Sequence, residues 1–277
     1  MSKTGVLPGA PLFYVLASVR FSTVMKLRDA IPAIQDALRE KLPLVYELAF
    51  EQVKVSMGAL GLAQPSLESG ATRLAWAFTS ADRSIGCQIS ADQIIVHTRT
   101  YKTFGKFAEL IGEVVGEVEK HLRSFDVAAM GIRYLDKISP SNGELLQQYL
   151  KPGFLAEPLK WADFEMLGGL SHRLYKTNSG VLQARFWTGA GYTVIPDDLA
   201  PVYLLTEDHS VQLMPPKLLE AGQGILDTDS IWSSPIPQRM NTGNIVKELD
   251  ALHVHANAFF REACSDHAFE VWNKGAV

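Results

Sequence analysis

Two aspartates, Asp227 and Asp229, alternate along a strand-like segment, and their spacing suits charge chemistry. Alternate residues of a strand project from one face about 7 Å apart. Such a pair can hold a divalent cation through oxygen ligands, or it can accept the charge of arginines on neighbouring strands. Because isolated buried charge is costly, we expect ion pairs with Arg20 and Arg133, which interrupt two apolar strands. The four residues are predicted to form structural ion pairs, and no metal is expected.

Large aromatic residues in or beside the predicted strands suggest a second kind of site. Tryptophans at such positions usually fill a core. If the sheet curves into a groove, they would instead form the wall of an apolar pocket, a role also open to Trp161. One of the two strand arginines would then fix an acidic group of the ligand. The candidate ligand-binding residues are Trp76, Trp187, Trp232, Arg20 and Arg133.

No catalytic motif assembles along the chain. His253 and His255 are two residues apart on a predicted helix, so they point in different directions and cannot chelate one ion as an i, i+4 pair would. No histidine stands in an arrangement with serine or cysteine that is typical of an activated nucleophile. The glycine pairs match neither a P-loop nor a dinucleotide-binding turn. We therefore predict no catalytic residue and no cofactor, and we favour a protein that is not an enzyme.

Composition narrows the class of partner. The 277 residues include 26 basic and 30 acidic side chains, a net charge of -4, so no overall positive field attracts nucleic acid. Cys87 and Cys264 lie far apart, which is typical of buried thiols in a reducing compartment. Without a signal-peptide pattern or an apolar run of membrane-spanning length, we expect a soluble, cytoplasmic protein with no membrane contact.

One local patch could still contact nucleic acid, because it interleaves basic and aromatic residues between positions 99 and 107. Its cations could bind phosphates while bases stack on the rings. At helical spacing the phenylalanines are more typical of a core, so this reading is not favoured. The patch comprises Arg99, Tyr101, Lys102, Phe104, Lys106 and Phe107.

Hydrophobic periodicity predicts the elements that position these residues. In the first half, strands are predicted at 13–21, 47–57, 72–80, 84–90 and 93–100, with helices at 27–42 and 104–122. In the second half, strands are predicted at 127–138, 164–177, 180–188, 202–207 and 225–232, with a short helix from 142 to 150. A final helix, capped by Asn241 or Thr242, runs to about residue 263.

The two halves share an element order. Val19-Arg20-Phe21 returns as Ile132-Arg133-Tyr134, an offset of 113 residues from Val19 to Ile132. We predict an α+β fold of two pseudo-repeated antiparallel sheet units, each strand, helix, four strands and helix, spanning 1–124 and 125–277. Residues 192–224 have no partner in the first half and are predicted to be an inserted loop with a role in function. The order resembles the TATA-binding-protein repeat and, more loosely, the helix-grip fold.

Short matches spread over the chain also resemble a sporadically distributed bacterial family of uncharacterised proteins about 250 residues long. They comprise residues 11–21, 76–80, Phe104 and Phe107, 131–134, 225–229 and 252–260. The resemblance implies no established reaction, so it brings no catalytic residues to this chain. The sporadic distribution of the family suggests an accessory role in mobile-element or phage-related biology.

Three functions follow as expectations. The first is a non-enzymatic binding or adaptor protein that recognises a macromolecular partner, with a protein as the expected partner, through its sheet face or through residues 192–224. The second is small-molecule binding or catalysis in a helix-grip-like cavity. The third is nucleic-acid binding through a saddle-shaped sheet.

Overall fold

A computed structural model describes residues 7–56, 66–122, 125–141, 143–155, 166–207 and 217–274. Within these ranges the chain is an α+β protein built on one antiparallel sheet of nine strands. The strands are β1 (Leu12–Phe21), β2 (Leu44–Ser56), β3 (Ser66–Thr79), β4 (Ile85–Ser90), β5 (Gln93–Thr98), β6 (Phe125–Ile138), β7 (Gly168–Lys176), β8 (Val181–Gly189) and β9 (Gly224–Met240).

Six α-helices accompany the sheet in the described ranges. They are α1 (Leu27–Leu38), α2 (Phe104–Leu122), α3 (Leu146–Tyr149), α4 (Ala200–Tyr203), α5 (Thr242–Ala263) and α6 (Asp266–Lys274). A 3-10 turn at Leu204–Thr206 continues directly from α4. None of these helices is long and apolar enough to cross a membrane.

The sheet order, β2-β3-β4-β5-β1-β6-β9-β8-β7, puts the opening strands of the two halves side by side at the centre. Strand β1 pairs with β6 on one side and with β5 on the other, while the second neighbour of β6 is β9. The first strand of each half therefore also pairs with the last strand of that half. After β6 the described residues contribute three further strands, one fewer than the four predicted.

Helices α1, α2 and α5 cover one face of the sheet, here called the helix face. Alternate residues of β1 point into this layer, because side chains of a strand alternate between faces. Val15, Ile34, Val114 and Leu249 are fully buried there. One apolar cluster includes residues of both halves, so they share a core.

The opposite face is covered by the chain's own residues 192–207 and 217–223, here called the insert. Its apolar side chains, among them Val194 and Leu199, pack on Leu16 of β1, Leu135 of β6 and Trp187 of β8. The 3-10 turn contacts the residue that follows β5: the carbonyl oxygen of Thr206 accepts a hydrogen bond of 3.0 Å from Nη1 of Arg99. The predicted inserted loop is thus a cover on the central strands.

The clearest differences between the predicted and the observed elements lie at residues 202–207, in β9 and at α6. Residues 202–207, predicted as a strand, form the end of α4 and the 3-10 turn, with Pro201 in the first turn of the helix, where its missing N–H breaks no intrahelical bond. Strand β9 extends eight residues beyond 232, and its pairing with β6 shifts register between Ala129 and Val127. Helix α6 was not predicted; the hydroxyl of Ser265 caps it by accepting from the amide of Ala268.

The turn between β7 and β8 depends on Gly180, so we expect Gly180→Ala to destabilise the protein by about 2 kcal/mol or more. Gly180 has a φ of +147°, and an added Cβ would lie 2.0 Å from the carbonyl oxygen of Ile231. A backbone atom of the central sheet cannot move aside cheaply. Urea unfolding measures the loss, with Gly105→Ala as control, because nothing lies within 4 Å of that Cβ position. Equal stabilities for the two variants would contradict the prediction.

Candidate functional site

The insert is fixed to the sheet by two arginines and two aspartates, here called the clamp: Arg133, Arg185, Asp198 and Asp227. Nε and Nη2 of Arg133 donate to the two carboxylate oxygens of Asp227 at 2.7 and 2.9 Å, and its Nη1 donates to Asp198 Oδ2 at 2.6 Å. Nε of Arg185 also donates to Asp227 Oδ2, at 2.9 Å. Sheet register explains the set, because Asp227 pairs with Arg185 of β8 and lies two residues from the partner of Arg133.

Burial differs sharply within the clamp. Asp227 is fully buried and the Arg133 side chain is 6% exposed, whereas the side chain of Asp198 is 56% exposed. Burial tends to raise the pKa of Asp198, but the hydrogen bond and charge of Arg133 hold it below its usual range. Both carboxylates are occupied by guanidinium groups, so the clamp offers no free ligand for a metal. Its role is to hold Asp198 of the insert against the sheet.

Asp229 and Arg20, for which ion pairs were also predicted, are not part of the clamp. Burial raises the pKa of Asp229 to about 6, although the charge of Arg133 opposes the shift. Arg20 is exposed and lies opposite Gln93 and Ala129, four residues along β1 from the position that faces Arg133. The predicted pairing of Arg20 with either aspartate is therefore corrected: among the described residues Arg133 and Arg185 carry the pairing.

The tryptophans do not line a common pocket. Trp76 and Trp232 pack into the core on the helix face, whereas Trp187 lies under the insert on the opposite face. The indole N–H of Trp76 donates to Glu47 at 3.3 Å, and that of Trp187 donates to the carbonyl of Thr193 at 2.9 Å. Trp76 and Trp187 are buried side chains with hydrogen-bonded indoles, and Trp232 is partly buried against the core. Trp161 lies outside the described residues.

A cavity of about 700 Å³ opens at one end of the helix face, a size typical of small-molecule sites. Its floor is the sheet, formed by Tyr134 and Asp136 of β6 and Thr228 of β9. Helix α5 forms one wall, and the segment before α2, residues 101–104, forms another. Residues 7–12, which precede or begin β1, close a third side.

Two polar side chains on the floor have no hydrogen-bonding side chain opposite them among the residues that the structure describes. Asp136 is 3% exposed and accepts no side-chain hydrogen bond among the described residues, and the buried hydroxyl of Thr228 is likewise unpartnered. Thr228 pairs with Tyr134, so Thr228 and Asp136 are diagonal neighbours on one face of adjacent strands. Burial, with the nearby negative charge of Asp227, raises the pKa of Asp136 to about 8.

The cavity wall is an ordered aromatic cluster. His253 Nδ1 lies 2.7 Å from the hydroxyl of Tyr134, and its ring stacks on Phe104 at 4.6 Å between centroids with an angle of 6°. Tyr101 meets Tyr134 edge to face at 5.7 Å. Burial lowers the pKa of His253, which favours the neutral ring, and Nδ1 shares a hydrogen bond with the Tyr134 hydroxyl in a direction set by the tautomer. These contacts fix the shape of the wall.

The basic and aromatic patch of residues 99–107 is largely used by the fold. Phe107 is buried in the core, and Phe104 is stacked on His253. The ammonium of Lys106 pairs with Glu109 at 3.0 Å, and Arg99 donates to the insert. The rings needed for base stacking therefore do not form an open surface.

Sequence reasoning missed the floor of the cavity and assigned no site role to Asp136, Tyr134, Thr228 or His253. A signal for Asp136 was present: Ile132, Tyr134 and Asp136 alternate, so an acidic residue follows two residues of the core face. Helical spacing likewise puts His253, Asn257 and Arg261 on one face of α5. Neither pattern shows, without the fold, that the two faces meet at a space.

Comparison with known proteins assigns no family to the chain. Neither a protein-family model nor a curated protein matches the chain. The resemblance to the sporadically distributed bacterial family stays a prediction, and the functional argument depends on the cavity and the clamp.

Proposed function

We propose that the protein binds a small molecule in the cavity between β6, β9 and α5. The observation that carries this proposal is the buried Asp136 carboxyl at the floor, which accepts no hydrogen bond from a described side chain, beside the unpartnered hydroxyl of Thr228. Buried polar groups in folded proteins are nearly always hydrogen-bonded, so two neighbouring exceptions that line a roomy space favour a ligand as their partner. A perturbed carboxyl in a cavity is also a general marker of functional sites.

The walls fit this role. Aromatic rings of Tyr101, Phe104, Tyr134 and Phe260 supply apolar area, and a few polar groups converge from the floor and from α5. Ligand pockets combine these two properties. The hydrogen bond between Tyr134 and His253 fixes the shape of the wall, and binding is the function proposed for the cavity.

A blocking variant tests the proposal. Asn257 lines the cavity from α5, and Asn257→Trp would fill space without removing a core side chain. Val254→Trp is the matched control, because Val254 lies on the same helix with 56% exposure and away from the cavity. A thermal-shift and ligand-observed NMR screen of several hundred polar and aromatic metabolites is run on the wild type and both variants.

We expect hits with micromolar to submillimolar affinity that Asn257→Trp weakens at least tenfold and Val254→Trp leaves within twofold. Hits that survive Asn257→Trp would bind elsewhere and contradict the proposal. An absence of hits from the whole panel would contradict it as well. Circular dichroism and melting curves of each variant establish that loss of binding is not loss of fold.

Recognition of a protein partner remains the second candidate, and a specific surface favours it. Strand β7 is an edge of the sheet, and Leu170 and Leu174 on it are 58% and 65% exposed. An edge strand offers unpaired backbone groups to an extended peptide, and exposed leucines would contact its side chains. Selection from a displayed peptide library should return extended apolar sequences, whose binding Leu170→Lys with Leu174→Lys removes. Recovery of no such sequence would count against this candidate.

We also infer that the fold arose by internal duplication, with an element order that resembles the TATA-binding-protein repeat. Ser18 pairs directly with Gly131, and these positions are 113 residues apart, the same offset that relates Val19 to Ile132. An axis through this pair, normal to the sheet, would exchange β1 with β6 and β5 with β9. The insert covers the central strands on the face that a saddle would present, so nucleic-acid binding there has no support from the described geometry.

A further inference from the structure

The geometry points to an organic amine on an aromatic or apolar body as the ligand of the cavity, with its charged nitrogen donating to Asp136 and Thr228. This inference rests on the proposed function, since it names the chemistry of the molecule that would occupy the same cavity. It follows from the acceptors at the floor and from the rings around them.

The floor offers acceptors for a nitrogen that carries several N–H groups. An ionised carboxylate accepts only, and the hydroxyl of Thr228 has two further lone pairs. An ammonium group has three donors and no acceptor, so it can satisfy both side chains at once. A hydrogen bond in which one partner is charged is roughly twice as strong as a neutral one.

The surrounding rings suit a cation for a separate reason. The faces of aromatic rings are electronegative, so a cation within about 6 Å of a ring centroid is attracted, most strongly when desolvated. Tyr101, Phe104, Tyr134 and Phe260 line the space above Asp136. The same rings provide the apolar contacts that an aromatic ligand body would make.

Other charged and titratable groups around Asp136 set the limits of this preference. Asp227 and Tyr134 lie on the strands of the floor, Cys264 follows the end of α5, and α5 itself contributes His253 and Arg261. Lys102, an exposed residue of the segment before α2, is at the rim. The cations Lys102 and Arg261 disfavour a second positive charge, so a ligand with one amine is expected.

Proton release distinguishes an amine from other ligands. Burial raises the pKa of Asp136 to about 8, so the protonated carboxyl predominates at pH 7 before a ligand binds. A cation that pairs with the carboxylate form must displace this proton, and close to one proton leaves per amine bound. A neutral ligand of the same shape can bind the protonated form and releases none.

The experiment compares tryptamine with its uncharged isostere tryptophol, and with indole-3-acetate as the anionic counterpart. Titration calorimetry at pH 7 in two buffers of different ionisation enthalpy gives affinity and proton release together. We expect tryptamine to bind at least tenfold more tightly than tryptophol, with release of close to one proton. Asp136→Asn should reduce the preference to within twofold and abolish the release.

Ser230→Ala is the control, because Ser230 is also buried with an unpartnered hydroxyl on the same face of β9 but does not line the cavity. It should keep the tryptamine preference of the wild type. Equal or tighter binding of tryptophol or indole-3-acetate would overturn the inference, as would tryptamine binding without proton release. If no indole binds while other molecules of the panel do so in an Asn257-dependent way, the amine inference fails and the proposed cavity function stands.

Discussion

Arg133→Met is expected to lower the free energy of unfolding by about 3 to 5 kcal/mol, because it leaves the fully buried Asp227 with only the partly exposed Arg185 as partner. The methionine keeps much of the side-chain volume, so the loss reports on charge and hydrogen bonding. The hydrogen bond to Asp198 disappears as well, which leaves that residue of the insert with only the 3.9 Å contact to Arg185 on the sheet. Urea unfolding at pH 7 measures the effect.

The repeated triplet supplies the matched control. Arg20 occupies the corresponding position in β1 and is exposed, so Arg20→Met should change stability by no more than about 0.5 kcal/mol. Asp227→Asn should also be strongly destabilising, since it weakens the bonds to two arginines. Similar stabilities of Arg133→Met and Arg20→Met would show that the clamp does not hold the fold together.

Asp136→Asn is expected to stabilise the protein at pH 8 while leaving it nearly unchanged at pH 4. The folded pKa of about 8 lies above the unfolded value of about 3.8. The folded state thus binds the proton more tightly, and the stability this carboxyl contributes is present below pH 3.8 and lost as the pH rises to 8. At roughly 1.4 kcal/mol per pH unit, the wild type should lose about 4 to 6 kcal/mol relative to the variant over this range.

Denaturant unfolding of both proteins at pH 4, 6 and 8 tests this difference. Asp229, whose pKa burial raises to about 6, contributes in the same direction to both proteins and cancels in the comparison. Asp126→Asn is the control on the same strand: its pair with Arg239 is exposed, so the change should stay within about 1 kcal/mol at each pH. A wild type and Asp136→Asn variant with parallel pH profiles would contradict the buried, unpaired state of Asp136.

Together with the calorimetry of tryptamine binding, these unfolding measurements separate what Asp136 costs in stability from what it contributes to binding. A residue that destabilises the fold yet is needed for binding follows the general trade-off between stability and function. We expect Asp136→Asn to be the more stable protein and the weaker binder of tryptamine. If the role of Asp136 were purely structural, its replacement would lower the stability of the protein.

Elements with strong local signals could be predicted from the sequence. Alternation located β1, and turn residues located the β4 and β5 hairpin. The N-cap of α5 was predicted as Asn241 or Thr242, and Asn241 Oδ1 accepts from the amide of Asn244 at 2.8 Å. These features depend on residues close together in the chain, so local physics is sufficient.

Elements whose form depends on distant contacts were harder to predict. Residues 202–207 form a short apolar run that fits a buried strand and a buried helix equally well, and its packing on the sheet decides for the helix. Pro235 and Pro237 have no N–H to donate to a strand ladder, and a register shift accommodates them between the pairs at Ser233 and Gln238.

The candidate site shows the same difference between features set by local sequence and features set by distant contacts. The pairing of an arginine in an apolar strand with a nearby aspartate follows from the cost of buried charge, and the structure places Arg133 on Asp227. The choice of Arg133 over Arg20 depends on which arginine the insert covers, which local sequence does not show. Asp136 was missed because its space forms only where β6, β9 and α5 meet.

The clamp and the cavity lie on opposite faces of the same two strands. Arg133 alternates with Tyr134 along β6, and Asp227 alternates with Thr228 along β9. One stretch of backbone therefore carries both the best-paired charges of the described chain and an unpaired carboxyl. The ion pairs of the clamp stabilise this part of the sheet, and that stability offsets the cost of burying Asp136. We therefore expect other destabilising substitutions at the cavity floor to be tolerated only while the clamp is intact.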